Sequence, residues 1–259
     1  VVARAKEFIT NTVRDGKDAS GRDFLLIQGE AGTGKTTLVH ELVRQLQDDP
    51  ETSGIGVCVS ALSRKAVHVL ADKLSDLRGI EAQSLYSLSG VGERTPDERF
   101  AVDPNKEKFS QYRLILVDEA SMVSGKILDA IAGVKLRRPR ICFVFLGDRG
   151  QVGPISTSGD MGGKSPVFSG EDVRFEVHNL SHVFRQSGGS PILGYAKEFR
   201  KVSVGEADTN VSSIAAGARG SSITDGGALV YQPNGGDATW GKIEDAFRHA
   251  ADTKDVQYA

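Results

Sequence analysis

Short apolar runs alternate with amphipathic stretches along much of the chain. A strand that is continuously apolar is buried on both faces, as in a parallel sheet covered by helices. Parallel strands that alternate with helices are joined by right-handed crossovers. The pattern therefore predicts an α/β domain with a doubly wound, mainly parallel sheet. The predicted strands are residues 24–28, 54–60, 112–119 and 140–148, and the predicted helices are residues 36–46, 64–74 and 124–134.

Two segments interrupt this alternation. Residues 89–111 are polar and long for a connection, which predicts either a flexible loop or a small β insertion around residues 98–102. Residues 202–237 are rich in Gly, Ser and Ala, as in a linker or a poorly ordered excursion. After the second interruption the pattern predicts a short strand at 228–232, a helix at about 239–251 and the start of a strand at 255–259.

Composition narrows the class of protein without naming a partner. The net charge of −2 provides no overall electrostatic attraction for nucleic acid, so any such binding must be local. Cys58 and Cys142 each lie in an apolar run, which predicts buried strand residues and no disulfide or zinc site. No apolar stretch approaches the roughly 20 residues of a membrane span. We expect a soluble, cytoplasmic protein with no membrane partner.

The segment GEAGTGKT, residues 29–36, fits the pattern G-x-x-x-x-G-K-[ST]. It follows a predicted strand and opens a predicted helix, where successive backbone N–H groups and the helix N-terminus face an anion. Lys35 can then reach the β- and γ-phosphates of a nucleoside triphosphate, and Thr36 can ligate Mg²⁺. The predicted nucleotide-binding residues are Gly29, Gly32, Thr33, Gly34, Lys35, Thr36 and Thr37.

An acidic pair, Asp118 and Glu119, ends another predicted strand. Doubly wound sheets bind their ligands at the carboxyl ends of the strands, so this pair is expected beside the glycine loop. Asp118 is the predicted Mg²⁺ partner of Thr36, and Glu119 is predicted to orient or deprotonate the attacking water. Taken alone, such a pair is also compatible with an ordinary helix N-cap.

Other residues narrow the choice among nucleotide-binding proteins. The segment 105–108 lacks the aspartate of the guanine-reading N-K-x-D motif, and LSGVG at 88–92 lacks the glutamine of the transporter signature. Gln151 follows the fourth predicted strand at a spacing that places it near the γ-phosphate. Arg185 is predicted to neutralise charge on the transferred phosphoryl group. Each of these two residues, considered alone, is equally compatible with an ordinary polar loop.

Six motifs occur in the order found in superfamily 1B helicases, and the chain resembles the RecD-like branch of that family over residues 24–200. The resemblance implies a RecA-like P-loop domain that uses ATP and Mg²⁺, with Lys35, Asp118, Glu119, Gln151 and Arg185 as catalytic residues. The motifs are the glycine loop, VSALSRKAVHVL (59–70), AQSLYSL (82–88), LILVDEASMV (114–123), FLGDRGQVGPI (145–155) and LSHVFRQS (180–187).

The resemblance also implies contacts to single-stranded DNA. Ser63 and Lys65 fall in the motif that contacts the DNA backbone, and Arg64 adds a second cation there. Ser84 and Tyr86 fall in the next motif, where the family typically has Thr and His. The insertion around Phe100 resembles the family's β-hairpin pin, whose tip stacks on a base, although Phe100 is equally compatible with an anchor that packs the insertion onto the domain. The basic run at 135–140 is predicted to be a solvated loop.

The family pattern divides the chain into four parts. Residues 1–88 and 112–201 are predicted to form RecA-like domain 1A, residues 89–111 its pin-like 1B insertion, and residues 202–259 a linker and the beginning of domain 2A. The chain would then be a monomeric fragment of a 5′-to-3′ DNA helicase that lacks the second RecA-like domain, binds ATP weakly and does not unwind duplexes. Two alternatives remain, a nucleotide-gated binding or regulatory module and a small-molecule phosphotransferase.

Overall fold

The computed structural model describes residues 1–90, 100–154, 164–169, 174–182, 200–201, 223–224 and 227–228. The chain forms two compact units, Val1–Arg185 and Gln186–Ala259. In the second unit, strands β7 (Ile223–Thr224) and β8 (Gly227–Ala228) pair in antiparallel fashion. Apart from Ala228, the elements predicted at 228–232, 239–251 and 255–259 lie outside the described residues, and the four-part domain division stays a prediction.

The first unit is built around a six-stranded sheet in which every adjacent pair is parallel, in the order β3-β2-β4-β5-β1-β6. Strands β4 and β5 lie between β2 and β1, so the carboxyl ends of β1, β5 and β4 are neighbours. The doubly wound α/β fold is confirmed. The strands are β1 (Phe24–Gly29), β2 (Val57–Ala61), β3 (Ile80–Ser84), β4 (Leu114–Val117), β5 (Cys142–Gly147) and β6 (Phe175–Leu180).

Helices cover both faces of this sheet. Alternate strand residues point to opposite faces, and two separate apolar cores result. Phe24 belongs to the core that α4 and α5 cover, and Leu25 belongs to the core that α1, α2 and α3 cover. None of the helices in the described residues could span a lipid bilayer. The helices are α1 (Val2–Asp15), α2 (Lys35–Asp48), α3 (Arg64–Lys73), α4 (Leu85–Ser89) and α5 (Gly125–Arg137).

The apolar pattern missed the two edge strands, β3 and β6. Central strands such as β4 and β5 are buried at every position, whereas β3 is largely exposed and β6 alternates between covered and exposed residues. An edge strand has a neighbour on one side only and need not be continuously apolar. The periodicity of the sequence therefore identified the centre of the sheet and not its margins.

Of the two interpretations of Phe100, the structure favours the anchor that packs the insertion onto the domain. The Phe100 side chain is only 6% exposed, and its ring packs against Tyr86 with the ring centroids 5.4 Å apart. Neither ring presents a free face to a base, so Phe100 acts as an anchor for the segment. Residues 100–102 do not form a strand, and residues 91–99 lie outside the described part of the chain.

The basic run at 135–140 is also corrected in part. Lys135 is only 4% exposed, and its ammonium group donates hydrogen bonds to the carbonyl oxygens of Gly16, Pro139 and Ile141 at 3.3, 2.5 and 3.2 Å. Burial lowers the pKa of Lys135. This lysine is therefore an internal brace, although the residues at 136–140 are exposed as predicted.

Candidate functional site: a nucleotide-binding cleft

The glycine loop connects β1 to α2 with a conformation that requires glycine at three positions. Gly32 and Gly34 both have φ of 82°, in the left-handed region that side chains disfavour. A Cβ added to Gly29 would lie 2.6 Å from Thr33 Oγ1 and 2.8 Å from the carbonyl oxygen of Leu180. Sterics therefore explain these three glycines independently of any ligand, and the resulting loop leads directly into the first turn of α2.

Lys35 lies over this loop at the start of α2. Its Nζ donates hydrogen bonds to the carbonyl oxygens of Gly29 at 2.7 Å and Glu30 at 2.9 Å. Thr33 is buried, and its hydroxyl donates to the same Glu30 oxygen at 2.8 Å. Thr33 and Gly29 thus shape the loop, while the ammonium group of Lys35 and the helix N-terminus provide positive charge for an anion.

Asp118 follows β4 directly, and its carboxylate is largely buried. Its backbone N–H donates to the carbonyl oxygen of Ser60 at 2.8 Å, and its Oδ1 accepts the backbone N–H of Glu119 at 2.8 Å. Burial raises the pKa of Asp118, while the Glu119 N–H and the charges of Lys35 and Lys73 act in the opposite direction. A desolvated carboxylate facing cations is well placed to interact with a divalent ion.

Glu119 is held in a strained backbone conformation. Its φ is 54°, and no other described residue except glycine has a positive φ. Burial and the neighbouring Asp118 raise the pKa of Glu119, and a hydrogen bond donated by the Ser63 hydroxyl at 3.4 Å opposes that rise. Strained backbone together with a raised carboxylate pKa is characteristic of sites that handle protons.

Gln151 is positioned by a tight turn after β5. Asp148 is 3% exposed, and its Oδ1 accepts the backbone N–H of Gly150 at 2.8 Å. The carbonyl oxygen of Asp148 accepts the backbone N–H of Gln151 at 3.1 Å. These bonds hold the turn at the carboxyl end of β5, next to the ends of β1 and β4, so Gln151 faces the same cleft as Lys35 and Asp118.

A cavity of about 690 Å³ joins these groups. Eight of the predicted ATP-site residues line this cavity. Gly29 and Thr33 do not line it and instead stabilise the conformation of the glycine loop. Arg185 lies outside the described residues. The lining consists of Ala31, Gly32, Gly34, Lys35, Thr36, Thr37, His40, Lys73, Asp118, Glu119, Leu146, Gly147 and Gln151.

Two polar residues of the cavity were not predicted from the sequence. His40, on α2, contacts the Asp76 carboxylate at 2.8 and 3.0 Å and thereby joins α2 to the segment after α3. Lys73 lies in the last turn of α3 and acts electrostatically on Asp118. Sequence offered no signal for either residue, because each also fits the polar face of an amphipathic helix.

The site also fits a magnesium ion held with a nucleotide. Thr36 and Asp118 line the same cavity, and Mg²⁺ in nucleotide sites usually takes one or two protein oxygens with phosphate oxygens and waters. Among the described residues no group of three or more His, Cys, Asp or Glu side chains could hold a metal by itself. The donor set therefore matches a phosphate-bound ion rather than a metal site built by protein alone.

The predicted DNA-contact residues fall into two groups. Ser63 caps α3 by accepting the N–H of Ala66 at 3.1 Å, and Arg64 and Lys65 are exposed in the turn that follows. In contrast, Ser84 is buried as the cap of α4, and Tyr86 is only 9% exposed. The first group therefore presents a cationic surface beside Glu119, whereas the second is mainly structural.

Comparison with known proteins places the chain in a family. A family model described as an AAA domain matches residues 17–220, which is more than half of the chain, and the chain belongs to this family. Within the curated proteins, the ATP-dependent DNA helicase dda of Enterobacteria phage T4 is 27% identical over 180 residues, which cover 69% of this chain and 38% of that protein. The ATP-dependent DNA helicase PIF1 of Emericella nidulans is 25% identical over 177 residues, covering 62% and 22% of the two chains.

A solved structure supports the same fold. The Pif1 helicase from Candida albicans superposes with a TM-score of 0.52 at 22% identity, covering 97% of this chain and 54% of that one. The predicted resemblance to superfamily 1B helicases is confirmed by these relatives. The chain spans about two-fifths of the phage relative and about half of the Candida structure.

Proposed function

We propose that this chain is the nucleotide-binding motor domain of an ATP-dependent DNA helicase. The observation that carries the proposal is the contact between Ser63 and Glu119. The Ser63 hydroxyl lies 3.4 Å from Glu119 Oε2 and also caps the helix that exposes Lys65. One side chain thus joins a surface suited to a DNA backbone with the carboxylate suited to activate water.

The proposed hydrolysis divides its tasks among residues of the cleft. Lys35 and the N–H groups at the start of α2 hold the phosphates, and Thr36 and Asp118 would hold Mg²⁺, which when bound neutralises phosphate charge. Glu119 orients the water and accepts its proton, for which a raised pKa is suitable. We assign γ-phosphate sensing to Gln151, which lines the cavity, and charge neutralisation to Arg185.

DNA binding is proposed to act through the cap of α3. A phosphodiester group that accepts hydrogen bonds from Ser63 and Lys65 would withdraw the Ser63 hydroxyl from Glu119. The carboxylate would then be free to turn toward the attacking water. Hydrolysis would accordingly depend on the DNA strand because the two sites share one hydroxyl group.

Two finer points belong to the same proposal. By resemblance, translocation would run in the 5′-to-3′ direction. Since the chain spans only 38% of the phage relative, we expect slow hydrolysis and no strand separation from these 259 residues by themselves. In the proposed assembly a second RecA-like domain contributes further cationic groups to the phosphates, a contribution that can reach about 10³-fold or more in rate.

The test compares two helix caps. Ser63→Ala and Ser124→Ala each remove a hydroxyl that accepts a first-turn N–H, at 3.1 Å for Ser63 and 3.4 Å for Ser124, so each should cost about 1 kcal/mol of stability. Of these two serines, Ser63 alone forms a hydrogen bond to Glu119 in the part of the chain that the structure describes. Single-turnover ATP hydrolysis with and without single-stranded DNA should lose its DNA dependence in Ser63→Ala and retain it in Ser124→Ala.

Three results would count against the proposal. An unchanged DNA dependence in Ser63→Ala would remove the coupling. Nucleotide binding with no salt-sensitive DNA binding would favour a nucleotide-gated module, because phosphate contacts make DNA affinity fall with salt. Transfer of labelled phosphate from ATP to a small acceptor, independent of DNA, would favour a phosphotransferase.

A further inference from the structure

A second cleft lies at the amino ends of the strands, on the opposite side of the sheet from the nucleotide site at their carboxyl ends. Arg113 directly precedes β4 and Ile141 directly precedes β5, so the cleft is at the amino ends of the strands. Arg113 and Asp118 are five residues apart in the sequence, which corresponds to about 16 Å along an extended strand. The cavity measures about 230 Å³ and is lined by Ser110, Arg113, Arg138, Pro139, Arg140 and Ile141.

The backbone of this cleft is fixed by hydrogen bonds. The backbone N–H of Arg113 donates to the carbonyl oxygen of Gly56 at 2.9 Å. The carbonyl oxygen of Arg113 accepts the backbone N–H of Cys142 at 2.8 Å. The backbone N–H of Arg138 donates to the carbonyl oxygen of Val134 at 2.9 Å, and the carbonyl oxygen of Arg138 accepts the backbone N–H of Ile141 at 3.0 Å. The arginine side chains therefore project from positions that are set by the sheet and by the end of α5.

Lys135 supports the same turn from beneath. Its buried ammonium group binds the carbonyl oxygens of Pro139 and Ile141, which flank Arg140, and that of Gly16 at the end of α1. A turn held by a buried cation and by main-chain bonds loses little conformational entropy when a ligand binds. The backbone from which Arg138 and Arg140 project is thus preorganised.

Positive charge dominates the cleft. Arg113, Arg138 and Arg140 are all exposed. Arg138 pairs with Glu107 at 2.6 Å, and Arg140 helps Arg14 to lower the pKa of Asp15. Within the described part of the chain, neither Arg113 nor Arg140 forms an ion pair, so their guanidinium groups retain hydrogen-bond donors for a ligand.

We propose that Arg113, Arg138 and Arg140, here called the arginine cleft, bind a phosphate ester. Guanidinium groups match the geometry of phosphate oxygens through paired N–H donors, and they are weakly hydrated compared with ammonium groups. A cavity of about 230 Å³ accommodates one or two phosphate groups. The phosphates can come from a nucleic-acid backbone or from a small phosphorylated molecule. This inference does not depend on the proposed ATP-driven function.

The first arm of the test measures DNA binding. Arg113→Gln with Arg140→Gln is compared with Arg78→Gln plus Arg137→Gln, which removes the same charge from exposed positions outside the cleft. The probe is an oligothymidylate of about 15 nucleotides, titrated between about 50 and 200 mM salt. For a nucleic-acid ligand, the slope of log affinity against log salt should fall by about 1.4 in the cleft variant, since each single-strand phosphate contact contributes about 0.7.

The second arm uses inorganic pyrophosphate. Lys35→Met is included in both double variants so that the glycine loop contributes little to binding. In the Lys35→Met single variant, which keeps all four arginines, pyrophosphate should protect Arg113 and Arg140, but not Arg78 and Arg137, from modification by phenylglyoxal, as read by peptide mass spectrometry. Calorimetry should show at least about tenfold weaker binding when the two cleft arginines are replaced.

The two arms distinguish a nucleic-acid backbone from a small phosphorylated molecule as the source of the phosphate. Loss of oligothymidylate binding, with or without loss of pyrophosphate binding, supports a nucleic-acid backbone as the ligand. Loss of pyrophosphate binding alone supports a small phosphorylated molecule. Equal binding by the cleft and control variants in both arms, with no protection of Arg113 or Arg140, would overturn the proposal. Folding of each variant is verified by circular dichroism, and the Ser63 experiment fails or succeeds independently.

Discussion

Two lysines, Lys35 and Lys135, donate to backbone carbonyl oxygens at opposite edges of one sheet. Lys35 binds two carbonyls of the glycine loop and opens onto a cavity that also contains Asp118. Lys135 binds three carbonyls and is only 4% exposed. The same local chemistry therefore occurs on the wall of a cavity at one edge and in a buried structural position at the other. Access to a cavity, rather than the hydrogen bonds themselves, distinguishes the two.

The surrounding charges differ in the same way. At the carboxyl edge, Asp118 and Glu119 lie side by side and are partly buried, and burial raises the pKa of both. At the amino edge, the buried Asp18 is bound by Arg4, which also binds Glu176. Carboxylates with raised pKa values are destabilising and suited to ligands, whereas satisfied carboxylates stabilise the fold.

The largest expected effect is at the carboxyl edge. Lys35→Met should lower ATP hydrolysis by about 10²- to 10³-fold, because a preorganised cation on the phosphates is lost. The free energy of unfolding should change by less than about 0.5 kcal/mol, since Lys35 is partly exposed. Hydrolysis assays and urea unfolding test the two statements, with Lys17→Met as an exposed control. Normal turnover in Lys35→Met would refute the site.

At the amino edge, Asp18→Asn should lower the free energy of unfolding by about 3 kcal/mol near neutral pH, as expected when one partner of a buried ion pair is removed. Burial raises the pKa of Asp18, but hydrogen bonds from Arg4, Ser20 and Asn11 outweigh it and hold that pKa well below its ordinary value. The folded state thus binds this proton less readily than the unfolded chain does.

The sign of the pH dependence follows from that shift. The stabilisation from Asp18 is fully present above its unfolded pKa near 4 and is lost as the pH falls toward the lower folded value. Urea unfolding at several pH values should therefore show wild type and Asp18→Asn converging below about pH 4. A constant difference down to the lowest pH would contradict the assignment.

Lys135→Met is the structural counterpart of the first substitution. It should lower the free energy of unfolding by about 2 kcal/mol, because carbonyl oxygens of Gly16, Pro139 and Ile141 lose a buried donor. ATP affinity should be unchanged, since Lys135 lies at the other edge of the sheet. Urea unfolding and ATP titration should therefore give opposite results for the Lys35 and Lys135 variants. Weakened ATP binding in Lys135→Met with unchanged stability would contradict the structural role of Lys135.

The smallest expected effect concerns backbone strain at Glu119. Glu119→Gly should raise the free energy of unfolding by about 1 kcal/mol, because glycine adopts a φ of 54° without the side-chain penalty. The isosteric Glu119→Gln keeps that strain and serves as the control. Both variants should lose hydrolysis and retain nucleotide binding. Urea unfolding that shows Gln as stable as Gly would assign the gain to the lost charge instead.

The central strands and the glycine loop could be predicted from the sequence. Strand β5 is buried at every position, so its apolar run could only be a covered strand. The loop follows from glycines that local backbone geometry requires at Gly32 and Gly34. Asp118 and Glu119 could be assigned to this site because strand ends of a doubly wound sheet converge, which is a rule of topology and needs no coordinates.

Which polar residues share a site depends on the packing of distant elements and could not be predicted from the sequence. Ser63 and Glu119 are 56 positions apart, and no local pattern indicates that their side chains meet. Lys135 belongs to a basic run, yet it is buried because three carbonyls converge on it, while neighbouring Arg138 and Arg140 stay exposed. The hydrophobic periodicity of the sequence indicates whether a side chain faces the core. The convergence of distant hydrogen-bonding groups depends on how the elements pack, and that arrangement distinguishes a brace from a binding residue.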